Sequence, residues 1–224
     1  MTRALTRRAV AGVAALLIAC ASHPPPPDWQ GNTKAATERA VAAYLVGNTR
    51  VETAELARAR SEIARTGLAD LAARVELTHC AAQVASLVFG PCVAFEPLRN
   101  DAAAPERAYA EYLLARVAPR DIALLPDAHR AVAAGGPNDV ANVAALRAIG
   151  DPLSRLIAAG VLFEANRADP QVIALAIDTA SAQGWRRALL AWLNVQLKRA
   201  EHAGANEEAE RLRRRIALVL GSGA

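Results

Sequence analysis

The sequence predicts an all-α protein, and three observations carry that prediction. Of 224 residues, 55 are alanine, the strongest helix former. Only nine are aromatic, and the β-branched residues are too few for a sheet protein. Apolar residues recur at spacings of three and four, and no segment sustains the two-residue alternation of a half-buried strand. The length suits one domain or two small ones, enough to bury a core. A hydrophobic fraction of 53% against 21% charged residues excludes wholesale disorder.

Taken in order, the chain opens with a basic segment holding Arg3, Arg7 and Arg8, followed by an uncharged apolar run from Ala9 to Ala19. That run is too short to span a bilayer as a helix, which takes about 20 residues. It suits the hydrophobic region of a secretory signal. The run ends in Leu17-Ile18-Ala19-Cys20, which resembles the lipobox of bacterial lipoproteins. The resemblance implies a signal over residues 1–19, cleavage before Cys20, and a diacylglycerol thioether and N-acylation on that cysteine. Two or three acyl chains hold a protein stably at a membrane where one does not. Ala21, rather than aspartate, follows the cysteine; in that family this implies the outer membrane, facing the periplasm. The chain as a whole resembles proteobacterial lipoproteins.

Residues 20–31 read as a lipidated tether. Pro24 to Pro27 favour polyproline II, a semi-rigid spacer of about 3.1 Å per residue. Trp29 belongs either at the membrane surface or against the folded domain.

The domain is expected over residues 32–221. Ala36, Ala40, Ala43 and Val46 mark a first helix. Thr49-Arg50-Val51-Glu52 reads as a capping box for a second, running to about Thr66, with Arg58 and Glu62 paired along its surface. Gly67 breaks it. Leu68, Leu71, Val75, Ala82 and Ala85 mark the buried face of a third. Pro105 and Glu106 open a fourth, with Tyr109, Tyr112, Leu113 and Val117 apolar. Asp127 to Ala134 is short and stops at Gly135-Gly136-Pro137, and Asp139 to Ile149 follows. Asp151-Pro152 and Asp169-Pro170 are cap-then-proline starts. Trp185 to Ala203 and Asn206 to Leu220 complete the series.

An alanine before a glycine turn and another after it recur around Gly67, Gly184 and Gly204. Small residues at both ends allow antiparallel helices to approach closely. This resembles tetratricopeptide-type hairpins. The fold is therefore expected to be antiparallel helical hairpins, as a tetratricopeptide-like solenoid or an irregular bundle.

Cys80 and Cys92 are an even pair in an oxidising compartment and are expected to form a disulfide. With His79 they would offer three metal ligands and no fourth at a recognisable spacing, so no metal is assigned. His23, His79, His129 and His202 are isolated. None of the six serines lies in a nucleophile motif, and no phosphate loop or dinucleotide fingerprint is present. No cofactor is expected. Without residues 1–19 the chain carries 23 basic and 22 acidic residues, which removes the main argument for nucleic acid. Arg213-Arg214-Arg215 reads as a solvated helix face.

Function is expected to be non-enzymatic: a helical scaffold held by its lipid at the membrane, binding an envelope protein in secretion, pilus or envelope assembly. Trp185 and Trp192, seven apart, are the candidate partner-binding residues. The alternative is an envelope enzyme acting on peptidoglycan, or an accessory subunit. A pocket with two buried acids would favour the enzyme, and an apolar groove without them the scaffold.

Overall fold

In a computed structural model, which describes residues 27–136 and 139–221, the chain is all-helical and no strand occurs among those residues. The elements are α1 (Asp28–Val46), α2 (Thr49–Ala64), α3 (Ala69–Ala85), α4 (Ala104–Leu113), α5 (Asp127–Ala134), α6 (Asp139–Ala148), α7 (Pro152–Glu164), α8 (Pro170–Ala182), α9 (Arg186–His202) and α10 (Asn206–Gly221). Short 3-10 turns occupy Glu96–Leu98 and Pro119–Leu124. The expected signal, Cys20 and the prolines before Pro27 lie outside the described residues.

Local chemistry explains most of the boundaries. Pro27 caps α1 with an extended backbone and Asp28 supplies negative charge to the first turn, where the helix dipole favours it. Residues 28–31, expected in the tether, therefore belong to α1. The α2 cap is Asn48, whose side chain accepts from Val51 N at 3.2 Å. Thr49 is already helical and Glu52 is turned to His79, so the capping box expected from Thr49 does not form and the cap lies one residue earlier. Glu62 engages Arg65 rather than Arg58. The two aspartate–proline starts form as expected: Asp151 accepts from Ser154 N and Asp169 from Val172 N, each at 2.7 Å.

Helix exits share one geometry. At Gly47, Leu87, Ala115, Asn166, Gly184 and Gly204 the residue has positive φ. Paired backbone bonds close each turn, for example Gly47 N to Tyr44 O and Asn48 N to Ala43 O. This satisfies carbonyls the helix end would orphan. Ala115 ends α4 early, so Val117 lies beyond that helix.

Two cores result. The smaller joins Ala36 and Ala40 of α1, Leu56, Ala59 and Ile63 of α2, and Val75 of α3, with Trp29 packed against it. The larger runs from Tyr44 and Leu45 through α3, α4, α7, α8 and α9. Helix α3 serves both. Its buried residues encircle it rather than forming the single expected face, as in helices covered on all sides. Leu68, expected on that face, is the exposed cap residue.

The packing is not confined to neighbours in sequence. Helix α7, buried without interruption from Leu156 to Leu162, crosses α3 at Gly160. A Cβ there would lie 2.9 Å from Val84 Cγ1, and closer still to the Val84 carbonyl oxygen. One residue further along α3, the Trp192 indole N–H of α9 donates to Ala85 O at 3.1 Å. The hairpins α1–α2 and α9–α10 are thus joined through α3 as well as by direct contact of α1 with α9.

The long connection from Ser86 to Ala103 is pinned to this centre. Cys80 and Cys92 are joined as a disulfide, Cα–Cα 5.8 Å apart. Closing so short a loop contributes about 2–3 kcal/mol. Phe95 is fully buried, and Arg99 lies over its ring while holding Glu96 and Glu111.

The crossing makes a paired prediction. Gly160→Ala should destabilise the protein by about 1–3 kcal/mol, the cost of overpacking. Gly150→Ala meets nothing within 4 Å and should be neutral, or stabilising by about 0.4–1 kcal/mol. Urea denaturation of both variants measures the difference, and equal midpoints would remove the crossing from its central place.

Candidate functional site

Helices α1 and α3 present adjacent faces with a trough of about 510 Å³ between them. The α1 side carries Thr33, Lys34, Thr37 and Glu38, at helical spacings of three and four, and the α3 side carries Leu71, Arg74, Val75 and Thr78 at the same spacings. Trp29 and Ile63 complete the apolar lining. Trp29 therefore docks on the domain.

The polar groups around the trough are largely spent internally. Thr37 Oγ1 donates to Thr33 O at 2.8 Å and Thr78 Oγ1 to Arg74 O at 2.7 Å. Their hydroxyls are satisfied by their own helices. Arg74 donates to Glu106 at 2.5 Å, and Lys34 stands 3.9 Å from Glu38 in full solvent. One group differs. Thr33 Oγ1 is buried and has no hydrogen-bond partner, an uncommon state that costs free energy in a folded protein.

A second polar cluster lies where α9 meets α1, α2 and α3. His79 Nε2 is 2.9 Å from Glu52 Oε1, and Glu52 Oε2 is 3.7 Å from Arg187. The Arg187 guanidinium lies 4.2 Å over the Tyr44 ring, which meets His79 edge-on at 5.6 Å. Burial raises the Tyr44 pKa against the opposing pull of Arg187. Four side chains from four helices thus interlock through charge and aromatic contact.

The residues singled out by sequence fall in several places. Cys80 and Cys92 come together; Cys20 and His23 lie outside the described residues. Trp192 is fully buried, hydrogen-bonded to α3, and edge-on to Phe163 at 5.8 Å. It is a core residue and is withdrawn as a partner-binding candidate. Trp185 precedes α9 as its cap residue and packs half-buried against the larger core. The two do not form a shared exposed face, because the first is not yet helical and the second points inward. Arg213 pairs with Glu201 and Glu210, and Arg215 with Ser181. Among the described residues no group of three or more histidine, cysteine, aspartate or glutamate residues could hold a metal ion.

The trough was missed because each half looks ordinary alone. Thr33 and Thr37 sit four apart in an alanine-rich helix, the one local signal, but only the packing of α3 against α1 makes it a site. Comparison of the chain with protein-family models, curated proteins and solved structures finds no match.

His129 is buried beneath Tyr112, whose hydroxyl lies 3.2 Å from Nδ1. Burial lowers its pKa to about 4, against a smaller raising influence from Asp151. The neutral imidazole is the folded form, in hydrogen-bond contact with the phenol. Because the unfolded chain binds this proton near pH 6.5 and the folded chain near 4, the contribution is complete above 6.5 and is lost as pH falls towards 4. Stability should drop by roughly 2–3 kcal/mol more in the wild type than in His129→Gln across that window. Denaturant titrations at pH 7 and pH 4 measure this, and parallel losses in the two proteins would reject the assignment.

Proposed function

We propose that the chain is a lipid-anchored envelope protein, held at the outer membrane through Cys20, that binds another protein through the α1/α3 trough. The lipobox-like Leu17-Ile18-Ala19-Cys20 and the proline spacer support the anchor. Among the described residues no helix is long and apolar enough to cross a membrane.

The observation that carries the binding reading is the trough itself, a channel of about 510 Å³ between α1 and α3 with Trp29, Ile63, Leu71 and Val75 as its apolar lining. Two helix faces at ridge spacing form a natural bed for a third helix. An amphipathic helix of an envelope protein would cover Leu71, Val75 and Trp29 with its apolar face. Paired catalytic acids are not what lines this channel, since Glu38 faces Lys34 and Glu106 is engaged by Arg74.

The second reading, an envelope enzyme, has one observation in its favour: the Glu52–His79 contact, an acid orienting an imidazole. Among the described residues, however, no serine hydroxyl or cysteine thiol lies in hydrogen-bond contact with His79.

Both parts of the proposal are testable in cells. Cys20→Ala should leave the precursor uncleaved or release the protein from the membrane fraction; normal processing and retention would refute the anchor. A photo-crosslinking residue at Lys34 or Leu71 should capture one and the same envelope protein, while one at exposed Val140 should not. Absence of an adduct at the trough, with turnover of peptidoglycan by the pure protein, would favour the enzyme.

A further inference from the structure

A hollow of about 380 Å³ opens on a different part of the molecule, where the α7–α8 turn meets the last turns of α9. Its volume lies at the small end of ligand pockets, which run from roughly 300 to 1,000 Å³. Phe163 and Ile173 with Val195 give it a hydrocarbon floor, and Lys198, Arg199 and His202 stand around that floor. No acid lines it. Val195, Lys198, Arg199 and His202 follow the spacing i, i+3, i+4, i+7, so one face of α9 presents all four.

The side chains of the three basic residues make no hydrogen bond or ion pair with any described residue. Most of the other described arginines do, with carboxylates or with helix-end carbonyls, although Arg50, Arg58, Arg147, Arg186, Arg211 and Arg214 do not. Nearby acids do not serve them: Asp169 accepts from Val172 N, and Glu164 is exposed and outside the lining. The helix dipole accounts for basic residues in the last turn of α9. It does not account for their sharing a face over an apolar hollow.

We propose that this hollow binds a medium-chain fatty carboxylate, with the acyl chain against Phe163, Ile173 and Val195 and the carboxylate between Lys198 and Arg199. Charge complementarity selects an anion. The floor selects a hydrocarbon over a peptide, because Asn166 is the one neutral polar side chain in the lining and a buried peptide backbone left unpaired is costly. The site is independent of the trough and of the anchoring proposal.

Titration calorimetry of the full chain with decanoate, below its micelle concentration, tests this directly. Saturable binding of one decanoate per chain is expected, at least tenfold tighter than decanol and with no detectable binding of acetate. The double variant Lys198→Gln/Arg199→Gln should bind decanoate at least tenfold more weakly while keeping its thermal midpoint. Val195→Phe, which fills the hollow and keeps both charges, should weaken binding as well. The proposal is overturned if wild-type protein shows no saturable binding, if decanol matches decanoate, or if removing the two charges leaves the affinity unchanged. The wild-type comparison stands whether or not either variant folds.

Discussion

The architecture depends on a steric constraint at one crossing. Helix α7 approaches α3 so closely at Gly160 that no side chain fits between it and the Val84 backbone. Ala158 and Ala159 on α7, with Ala81, Ala82 and Ala85 on α3, are all buried around this region of the two helices. Small residues cannot each bury much surface, so an alanine-rich core gains stability by bringing backbones together. The large side chains then go where the helices diverge: Trp192, Phe95, Tyr112 and Leu146 are each almost wholly buried. Trp192 adds a directional element, since its N–H satisfies the Ala85 carbonyl at the end of α3, a group otherwise orphaned at a helix terminus.

The N-terminal hairpin is attached to this centre by polar contacts as well as apolar ones. Glu52, His79, Arg187 and Tyr44 bring α2, α3, α9 and α1 to one junction. A carboxylate so nearly enclosed costs several kcal/mol to desolvate. Here it is offset by an imidazole that meets the Tyr44 ring edge-on and a guanidinium that lies over that ring. Such a junction fixes orientation more than it adds net stability, because the partners must meet at set angles. It also holds α1 and α3 in the relation that opens the trough between them.

The helical order was legible in the sequence because its signals are local. Aspartate before proline at 151 and 169 needs only its own backbone to cap a helix, and glycine at 184 or 204 needs only its freedom to take positive φ. Cys80 and Cys92 were legible by parity and proximity. Signals that depend on a distant partner were not. Leu87 and Ala115 take the same left-handed turn as the glycines, and nothing in their identity announces it. The Asn48 cap was hidden behind Thr49, an equally good candidate one residue later. Trp192 has the composition of an interface hot spot, and only its acceptor 107 residues away shows it to be core. The trough belongs to this second class, since its two walls are separated by the whole of α2.

Arginine gives the clearest reading of what this composition is for. With few aromatics to pack and many helix ends to close, the chain uses guanidinium groups as ties. Arg155 donates to the carbonyls of Leu146 and Ile149, Arg130 to that of Leu125, and Arg167 to Gly136 O and Asn142. Arg60 and Arg74 hold the buried acids Glu76 and Glu106. The five donors of a guanidinium suit this work, because one side chain can reach two acceptors at once. Many of the described guanidinium groups are therefore engaged by the chain's own carboxylates and helix ends. The same economy gives weight to basic groups that are left over. Where unpaired ones gather on one helix face over hydrocarbon, as Lys198 and Arg199 do, the fold has no use for them that its other arginines would suggest.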